Sequence, residues 1–478
     1  MSARVRFDGR RVTVQGLGLF GGGVSVARFL AQRGARVTVT DTRTATELAP
    51  AVAELAGISL RYVLGEHRRE DFVDTDLVVA NPAVAPSNEW LTIARASGVP
   101  ITSEIALFLE LCPARIAAVT GTQGKSSTCN TLHQLLVADG RSAHLGGNIG
   151  RSLVESAESM HADDIVVLEM SSYQLESLPR ALGQDGVPPR VEVVCVTNVL
   201  ADHLDRHGTI EEYARAKRRI LELAAANGGA AVLSAEDPRL AAWSEPGLRR
   251  IDAFPTRASE RGLNIHAETF RLDRETLGHI RDLRLPGAFQ RENTLLALGL
   301  ARLLGAAPAR LAAAIPALTA LPYRMQDLGN FGGHRVWDNG VSTTPDSTLA
   351  VFGSLAPGFT LLVGGKHKDL PLEGLLEAAQ GRVRRVVSFG NAGPLLRDAF
   401  QGAGIPATSV ETVPEAVQTA FGALKDGEEI LFSPACSSYD QYLNFQERAL
   451  AFRHSLEQFR AATTSAPERR LDKGGRGG

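Results

Sequence analysis

The sequence predicts an α/β protein with three sheets: an N-terminal Rossmann-like sheet, a central parallel sheet of the P-loop type and a C-terminal Rossmann-like sheet. Glycine-rich motifs follow apolar strands near residues 11–15, 116–119 and 361–363, and strand and helix patterns alternate along the chain, as in parallel sheets. The predicted domains are residues 1–103, 104–320 and 321–463. Residues 464–478, rich in Ala, Thr, Pro, Arg and Gly, are expected to form a disordered tail.

Composition narrows the functional class. The chain has 478 residues, 44% of them hydrophobic, and a formal net charge of −2, which argues against nucleic acid or a membrane surface as the main partner. The four cysteines form no CxxC pair and have no metal-ligand spacing, so we expect reduced thiols. The N-terminus has no signal pattern, and no apolar run of about 18 residues is present, so we expect a cytoplasmic protein. We also expect it to be a monomer.

The first domain opens with a strand at Arg11–Gln15 and a Gly-x-Gly-x-x-Gly motif that starts at Gly16. A helix over residues 24–33 and a strand over 36–40 follow, and Asp41 ends that strand. This arrangement suits a nucleotide, with its phosphates at the helix and its ribose on the carboxylate. A tight turn that packs closely is the structural alternative, and NAD or FAD is the commonest ligand of the motif. A further strand at 76–80 precedes a boundary near Ser103.

The second domain is organised around a phosphate-binding loop. Apolar residues 116–119 predict a buried strand, and the residues after it combine two glycines, a lysine and hydroxyl groups, namely Gly121, Thr122, Gln123, Gly124, Lys125, Ser126 and Ser127. Backbone N–H groups, the Lys125 ammonium and a Mg²⁺ on the Ser126 hydroxyl would all suit a triphosphate. The strict P-loop spacing fails because Val119 stands where glycine is required. A plain strand-to-helix turn is the alternative.

Three further segments of this domain carry polar groups. Residues 146–150 predict a glycine-rich turn. A strand at 164–168 ends in Glu169, which is placed to hold Mg²⁺ or to cap a helix. A strand at 191–196 leads to a run with two aspartates and two histidines, in which His203 is a candidate metal ligand and a solvated loop is the alternative.

Lys217 stands among arginines on a helix over 210–223, whose composition indicates only a charged surface.

These motifs carry a resemblance to a known family. Thr120-Gly-Thr-Gln-Gly-Lys-Ser-Ser, Gly147-Asn-Ile-Gly150, Glu169-Met-Ser-Ser-Tyr-Gln-Leu-Glu176 and Thr197-Asn-Val-Leu-Ala-Asp-His-Leu-Asp205 resemble, in this order, the Mur ligases of peptidoglycan synthesis. The resemblance implies that the first domain binds UDP. It also implies ATP and two Mg²⁺ as cofactors and a carbamylated Lys217. The implied catalytic residues are Lys125, Glu169, His203 and Lys217, the metal ligands Ser126, Glu169, His203 and Lys217, and the UDP-substrate contacts Leu19, Phe20, Asp41, Thr42, Arg43, Asn148, Ser171 and Gln174.

The resemblance extends into the third domain with some departures. Arg324, in Leu-Pro-Tyr-Arg, matches a linker arginine that reaches the ATP phosphates when a mobile domain closes and excludes water. Asn293 matches an adenine contact, although Phe289 and Gln290 depart from that motif. Asn339, a further implied ATP contact, replaces an Asp, and Val341 replaces a Lys. The implied glutamate contacts are Thr343, Lys368, Ser438 and Phe445.

The activity implied by the resemblance is the ATP-dependent addition of D-glutamate to UDP-N-acetylmuramoyl-L-alanine through an acyl phosphate. The Asn339 and Val341 departures leave L-glutamate or another amino acid as an alternative, because they fall in the loop that should sense the amino acid. A non-catalytic or NAD-binding protein is a further alternative, suggested by the first glycine motif alone.

Overall fold

A computed structural model describes residues 7–18, 21–150, 152–179, 182 and 187–464. It has three sheets with helices, which confirms the predicted α/β class. Contacts between backbone positions divide the chain into two compact units. One runs to Arg284 and resumes over Phe289–Leu318, and the other takes Leu285–Ala288 and the chain from Thr319. Leu19 and Phe20 and the predicted tail beyond Thr464 lie outside the described residues.

The first sheet is fully parallel and occupies the N-terminal part of the first unit. Its elements are β1 (Arg11–Gln15), α1 (Gly22–Gln32), β2 (Arg36–Asp41), α2 (Ala49–Ala53), β3 (Arg61–Leu64), α3 (Glu70–Val73), β4 (Leu77–Ala80), α4 (Glu89–Ala96) and β5 (Ile101–Thr102). The strand order β3-β2-β1-β4-β5 reverses direction at β1. The crevice for a ligand therefore lies where the loops after β1 and β4 diverge.

The second sheet has nine strands and belongs to the same unit. Its elements and neighbours are α5 (Glu104–Leu111), β6 (Arg115–Thr120), α6 (Lys125–Ala138), β7 (Ala143–Gly147), β8 (Ile165–Glu169), α7 (Ser172–Ser177), β9 (Val191–Val196), α8 (Leu204–His207), α9 (Ile210–Ala225), β10 (Ala230–Ser234), α10 (Pro238–Ala241), β11 (Arg249–Phe254), β12 (Leu263–His266), β13 (Thr269–Leu272), β14 (Glu275–His279), α11 (Ala288–Leu303) and α12 (Pro308–Ala314). The order is β14-β13-β12-β11-β10-β9-β6-β8-β7, so β6 lies between β9 and β8. Their carboxyl ends bring the phosphate loop, Glu169 and Thr197 to one edge.

The prediction of a parallel central sheet needs one correction. Seven neighbouring strands from β7 to β12 are parallel, but β13 and β14 add an antiparallel extension. The hairpin between β12 and β13 turns through Ala267 and Glu268, both with positive φ. Two-residue hairpins normally place Asn, Asp or Gly at such positions, so no local residue pattern indicates this turn.

The predicted glycine-rich turn at 146–150 is also partly wrong, because Gly146 and Gly147 end strand β7. Gly147 pairs with Glu169 across the sheet. A Cβ atom at Gly147 would collide with the Glu169 carbonyl oxygen, and its φ is +97°. Glycine is required here because two backbones approach closely.

The third sheet lies in the second unit and is parallel except for the pairing of its first two strands. Its elements are β15 (Gln326–Phe331), β16 (His334–Asp338), α13 (Pro345–Leu349), β17 (Phe359–Gly364), α14 (Glu373–Ala379), β18 (Val383–Phe389), α15 (Gly393–Gly402), β19 (Ala407–Ser409), α16 (Val413–Ala423), β20 (Ile430–Ala435) and α17 (Phe445–Thr464). The order is β15-β16-β20-β17-β18-β19. Phe432 stacks on Phe452 of α17 with ring centroids 4.1 Å apart, which fixes that helix on the sheet.

Short 3-10 helices connect several of these elements, at Val154–Ser159, Ile280–Asp282, Ile315–Ala317 and Phe352–Ser354. Each of the four cysteines is buried and unpaired. Across the described part of the chain, none of the helices combines the length and apolarity that a bilayer crossing requires.

Candidate active site at the phosphate loop

The phosphate loop connects β6 to α6, as predicted. Gly124 takes a left-handed conformation with φ of 81° immediately before the first helical residue, Lys125. A Cβ atom at Gly124 would lie 2.5 Å from Asn293 Oδ1, and one at Gly121 would collide with Thr197 Oγ1. Both glycines are therefore needed for close approach as well as for backbone conformation. The first turn of α6 offers backbone N–H groups that have no partner within the helix.

The loop after β9 holds the phosphate loop in place. Thr197 Oγ1 donates to Gln123 O at 2.5 Å, and Gln123 N donates to Asn198 Oδ1 at 2.9 Å. Leu200 N donates to Thr122 Oγ1 at 2.9 Å. Thr197 and Asn198 are supporting residues that sequence reasoning did not single out. Their position directly after a buried strand, at the edge where the phosphate loop begins, was the available signal.

Lys125 and Ser126 both lie at the start of α6, but their side chains have different environments. Lys125 Nζ donates to Thr122 O at 2.8 Å, so the ammonium lies over its own loop. The Ser126 side chain is largely buried, with 7% relative exposure, whereas Ser127 is partly exposed. The lysine and the serine hydroxyl thus lie on the loop at which a triphosphate would be expected.

Glu169 is the last residue of β8 and lies beside the phosphate loop, because β8 pairs with β6 at Val119. Its side chain is buried. Oε1 accepts a hydrogen bond from Asn148 Nδ2 at 2.9 Å, but Oε2 is buried and has no hydrogen-bond partner among the described residues. A buried carboxylate oxygen without a partner is costly, so this atom suits a cation such as Mg²⁺.

Protein side chains alone supply few metal ligands here. No group of three His, Cys, Asp or Glu side chains within the described ranges is close enough to hold a metal ion. Magnesium, which takes much of its coordination from phosphate and water oxygens, fits such a sparse set better than zinc does.

Lys217 is the second unusual charged group at this site. Its side chain is buried, with 1% relative exposure, and Nζ donates to Gly121 O at 2.7 Å. Nζ also lies 4.4 Å from the centroid of the Tyr213 ring. Burial, and to a smaller extent the nearby Lys125 ammonium, lowers the pKa of Lys217 to about 7, against the opposing effect of Asp202 and Glu169. At neutral pH a large fraction of this amine is uncharged.

The interpretation of the Lys217 helix as a charged surface was wrong for Lys217. Arg215 is exposed and pairs with Glu212, but Lys217 lies on the buried stripe of α9 that includes Tyr213, Ile220 and Leu221. The spacing of four residues from Tyr213 was a signal for this orientation.

His203 lies at the rim of the same edge. It has a left-handed backbone with φ of 52°, and its side chain is about half exposed. Its Nδ1 lies 3.4 Å from the Tyr173 hydroxyl. The Tyr213 hydroxyl lies 3.1 Å from Thr122 Oγ1, and burial raises the pKa of Tyr213 to about 12. Two tyrosines thus connect His203 and the phosphate loop to the helices behind them.

Asn293 contacts the opposite side of the phosphate loop. Helix α11 begins at Ala288, so that Asn293 falls within its second turn. The Asn293 side chain is buried, and its Oδ1 accepts a hydrogen bond from Thr128 Oγ1 at 3.3 Å. The amide therefore lies directly against α6, next to Gly124.

The residues predicted for the UDP substrate lie at two sheet edges. At the first sheet, Asp41 is buried and accepts from Gly18 N at 3.3 Å and from Arg43 N at 2.9 Å. Thr42 and Arg43 are exposed just beyond it. Asp41 therefore already organises the glycine motif through its carboxylate. The predicted contacts at Leu19 and Phe20 lie outside the described residues.

Asn148, Ser171 and Gln174 lie beside Glu169 at the second sheet. Asn148 Nδ2 donates the hydrogen bond to Glu169 Oε1. Ser171 Oγ accepts from Gln174 N at 3.1 Å, and Gln174 Oε1 accepts from Ser171 N at 2.9 Å, which forms a reciprocal cap of α7. The cap occupies the Ser171 hydroxyl and one atom of the Gln174 amide.

In the second unit, the residues predicted for glutamate lie on loops at the carboxyl ends of the strands and at the start of α17. Lys368 Nζ donates to Thr343 Oγ1 at 3.4 Å. Ser438 is buried after β20, and the Phe445 ring contacts Tyr323 edge to face at 6.2 Å between centroids. The sequence motifs therefore bring Thr343 and Lys368 into direct contact.

Two predicted ATP contacts also lie in this unit. Asn339 is buried, and its amide donates to Ser342 Oγ at 2.6 Å and to Ser433 Oγ at 3.1 Å and accepts from Met325 N at 3.3 Å. These bonds use the amide to hold neighbouring loops. Arg324 lies between Tyr323 and Met325, both of which have positive φ.

Arg448 is a residue of this unit that sequence reasoning missed. Its side chain is fully buried and donates to Cys436 O at 2.8 Å, to Gly364 O at 3.2 Å and to Gly340 O at 3.4 Å. These carbonyls belong to three different strand ends or loops. Burial lowers the pKa of Arg448 to about 10. The available signal for its burial was its position directly before Ala449. Ala449 begins a buried apolar stripe of α17 that continues at Phe452 and Leu456.

Comparisons with known proteins agree with this architecture. Two family models match the chain: the Mur ligase MurD-like N-terminal domain at residues 10–103 and the Mur ligase middle domain at residues 119–301. A protein of Roseiflexus sp. (strain RS-1) named UDP-N-acetylmuramoylalanine–D-glutamate ligase is 34% identical over 95% of this chain and 100% of its own length. A protein of the same name from Geotalea uraniireducens (strain Rf4) is 35% identical over 91% and 95%.

Solved structures share the fold. UDP-N-acetylmuramate-alanine ligase of Thermotoga maritima superposes with a TM-score of 0.60 at 19% identity, covering 94% of this chain and 99% of that one. The MurF ligase of Thermotoga maritima in complex with ADP gives 0.55 at 19% identity, over 95% and 96%. With the family models and the relatives above 30% identity, these findings show that the chain belongs to the Mur ligase family.

Proposed function

We propose that the protein is an ATP-dependent amide ligase of peptidoglycan synthesis that adds D-glutamate to UDP-N-acetylmuramoyl-L-alanine. The relatives named above carry this activity in their names and align with nearly the whole chain. One observation carries the proposal at the site: a buried carboxylate oxygen of Glu169 that has no partner among the described residues lies beside a glycine-rich loop and a lysine-bearing helix start.

The proposed reaction brings a carboxylate close to the negatively charged phosphates of ATP. The terminal carboxylate of the precursor attacks the γ-phosphorus of ATP, the bond to the β,γ-bridging oxygen breaks, and ADP leaves. The amine nitrogen of glutamate then attacks the acyl carbon, inorganic phosphate leaves, and a proton is lost from the nitrogen. Both steps require neutralisation of negative charge. Lys125 and the N–H groups at the start of α6 supply fixed positive charge and hydrogen-bond donors, with Thr122, Gln123, Ser127 and Asn293 shaping the ATP site.

The residues fit bound Mg²⁺, with Ser126, Glu169, His203 and a modified Lys217 as the groups that would hold one or two ions. When bound, Mg²⁺ would neutralise the developing charge on the phosphoryl group. Asn148 fixes one oxygen of the Glu169 carboxylate by its hydrogen bond. That contact orients the other oxygen, which is the one left for the metal.

Lys217 is proposed to carry a carbamate. An uncharged amine is the form that reacts with CO₂, and a pKa of about 7 makes that form abundant at neutral pH. A bond forms between Nζ and the CO₂ carbon and a proton is released, so that a cation becomes an anion. An anion beside Lys125 and a divalent metal ion would be more stable than an ammonium at this position.

The amino acid is assigned to the second unit. Thr343, Lys368 and Ser438 lie on loops after β16, β17 and β20, and Phe445 is the first residue of α17. Lys368 supplies a positive charge for a side-chain carboxylate. L-glutamate is the second candidate, because Val341 and Asn339 differ from the residues expected in the first of these loops. The Asn339 amide donates to the hydroxyls of Ser342 and Ser433 and accepts from Met325 N, whereas an ionised Asp at this position could only accept.

The proposal also assigns a substrate to each predicted domain, an oligomeric state and a cellular compartment. UDP binds residues 1–103, with Asp41, Thr42 and Arg43 and the 19–20 segment at the nucleotide, and Asn148, Ser171 and Gln174 further along the precursor. Residues 104–320 handle ATP, and residues 321–463 handle the amino acid, with Arg324 and Asn339 as additional ATP contacts. The enzyme acts as a monomer in the cytoplasm, where both nucleotides are available.

The product identifies the reaction. We would incubate the protein with ATP, Mg²⁺, bicarbonate, UDP-N-acetylmuramoyl-L-alanine and each glutamate enantiomer separately, and determine product mass and configuration. A UDP-linked dipeptide that contains D-glutamate supports the proposal. A product made only from L-glutamate would favour the second candidate, and the absence of any amide product would exclude both.

A further inference from the structure

Arg206 of α8 joins the two sheets of the first unit. Its side chain is 10% exposed. Nη1 donates to Ala83 O at 2.8 Å, and Nη2 donates to Val84 O at 3.2 Å and to Pro82 O at 3.4 Å. Nε and Nη2 also bind Glu176 Oε2 at 3.0 and 2.9 Å. One guanidinium thus binds three consecutive carbonyls of the loop after β4 and a carboxylate of α7.

The loop after β4 is in turn fixed to the predicted UDP site. Asn81 Nδ2 donates to Gly16 O at 3.2 Å, and Asn81 Oδ1 accepts from Ala83 N at 3.0 Å. A Cβ atom at Gly16 would lie 2.9 Å from Asn81 Cβ, so the two loops are in direct contact. A change in the conformation of the glycine motif on nucleotide binding would therefore shift the carbonyl groups that accept hydrogen bonds from Arg206.

The other side of Arg206 leads to the candidate metal ligand. Its guanidinium carbon lies 4.8 Å from the centroid of the Tyr173 ring. The Tyr173 ring lies 5.1 Å from the His203 ring, centroid to centroid, and the two side chains approach to 3.4 Å between Oη and Nδ1. His203 is also only three residues before Arg206. A continuous set of contacts therefore runs from Gly16 to His203 within one compact unit.

We propose that Arg206 is a positioning residue through which occupation of the UDP site and of the triphosphate–metal site strengthen each other. The inference rests on the proposed function for the identity of the two ligands. The arginine side chain suits this task because its planar, rigid fork binds several oxygens at once, which a lysine ammonium on a flexible stem does not reproduce. Two sites that bias one shared structural element are thermodynamically coupled, and the coupling is reciprocal.

The test measures binding of the full chain to a non-hydrolysable ATP analogue with Mg²⁺ by calorimetry, with and without saturating UDP-N-acetylmuramoyl-L-alanine. We expect the precursor to tighten the wild-type affinity about 5- to 150-fold. In Arg206→Lys and Arg206→Met the ratio should fall to about 1, while each ligand alone still binds. Tyr173→Phe, which keeps the ring and loses the hydroxyl, should reduce the ratio by less.

Arg215→Met is the matched control, because Arg215 is exposed on the neighbouring helix and pairs with Glu212 of the same helix, three residues away. It should keep the wild-type ratio. A wild-type ratio of 1, or an unchanged ratio in folded Arg206→Lys and Arg206→Met, would overturn the inference. Failure of the proposed function is distinguished separately, since it would appear as wild-type protein that forms no amide product even though both ligands bind.

Discussion

Lys217 Nζ donates a hydrogen bond of 2.7 Å to the carbonyl oxygen of Gly121, although the two residues are 96 positions apart in the chain. The contact fixes a buried amine at the base of the phosphate loop. Because its pKa is lowered to about 7, this amine can react with CO₂ under conditions in which ordinary lysines are protonated.

Replacement of Lys217 should therefore remove activity without removing ATP binding. We expect Lys217→Arg and Lys217→Met to lower kcat by at least about 100-fold, because neither side chain can form the carbamate. Phosphate release measures kcat, and incorporation of ¹³C-bicarbonate observed by NMR detects the carbamate in the wild type. Arg215→Met is the control on the exposed side of the same helix. Full activity in Lys217→Arg would rule out a carbamate role.

The same lysine predicts a pH dependence of stability. An amine with a pKa of about 7 in the folded protein and about 10.4 in an unfolded chain binds more protons when unfolded between these pH values. The free energy of unfolding should therefore rise with pH across that window, by at most about 1.4 kcal/mol per pH unit. Below pH 7 this contribution should be constant.

Urea unfolding in CO₂-free buffer between pH 7.5 and 9.5 tests this dependence. The quantity to compare is the difference in unfolding free energy between the wild type and Lys217→Met, which cancels the titration of other groups. Parallel pH profiles for the two proteins would show that Lys217 does not have a depressed pKa.

Glu169→Gln should have opposite effects on activity and stability. The glutamine can keep the contact with Asn148 but removes a buried charge whose second oxygen has no partner among the described residues. We expect Mg²⁺ affinity to fall at least about 10-fold, and the metal-free protein to be stabilised by about 1–3 kcal/mol. Mg²⁺ titration of turnover and urea unfolding without metal measure the two effects. Glu192→Gln, which changes a partly buried ion pair with Arg115, should leave the Mg²⁺ affinity unchanged. Equal Mg²⁺ dependence of Glu169→Gln and wild type would refute the ligand assignment.

Arg448→Lys should weaken the binding of glutamate and leave the binding of ATP largely unchanged. The lysine keeps the charge but cannot hold three carbonyls from separate loops, so the pocket formed by those loops should loosen. We expect the KM for glutamate to rise about 10-fold or more, corresponding to at least about 1.4 kcal/mol, with little change in the KM for ATP. Arg397→Lys, at a partly exposed residue paired with Asp398, is the control. A rise in the KM for ATP alone would contradict this role.

Local signals predicted much of the site from sequence. The phosphate loop, Glu169 and Asp41 could be found because each follows an apolar strand, and the carboxyl ends of neighbouring parallel strands meet at one edge. The contact between Thr343 and Lys368 follows from the same rule. The positions in sequence determined the positions in space for these residues.

Other features depend on contacts that no short segment contains. The orientation of Lys217 and Arg448 was missed because a basic residue usually marks a solvated helix face, and only packing against distant loops reverses that. The β12–β13 hairpin turns through Ala267 and Glu268, which carry no turn signal. The buried Asn339 amide donates a hydrogen bond to Ser433, which is 94 positions away.

The central claim is triphosphate chemistry at the loop that holds Lys125, coupled to amide formation with D-glutamate. Phosphate release by the full chain, supplied with ATP, Mg²⁺, bicarbonate and UDP-N-acetylmuramoyl-L-alanine, tests it most directly. The prediction is release that requires D-glutamate, remains at background with L-glutamate and disappears in Lys125→Ala. No ATP consumption with any amino acid, or undiminished turnover in Lys125→Ala, would contradict the claim.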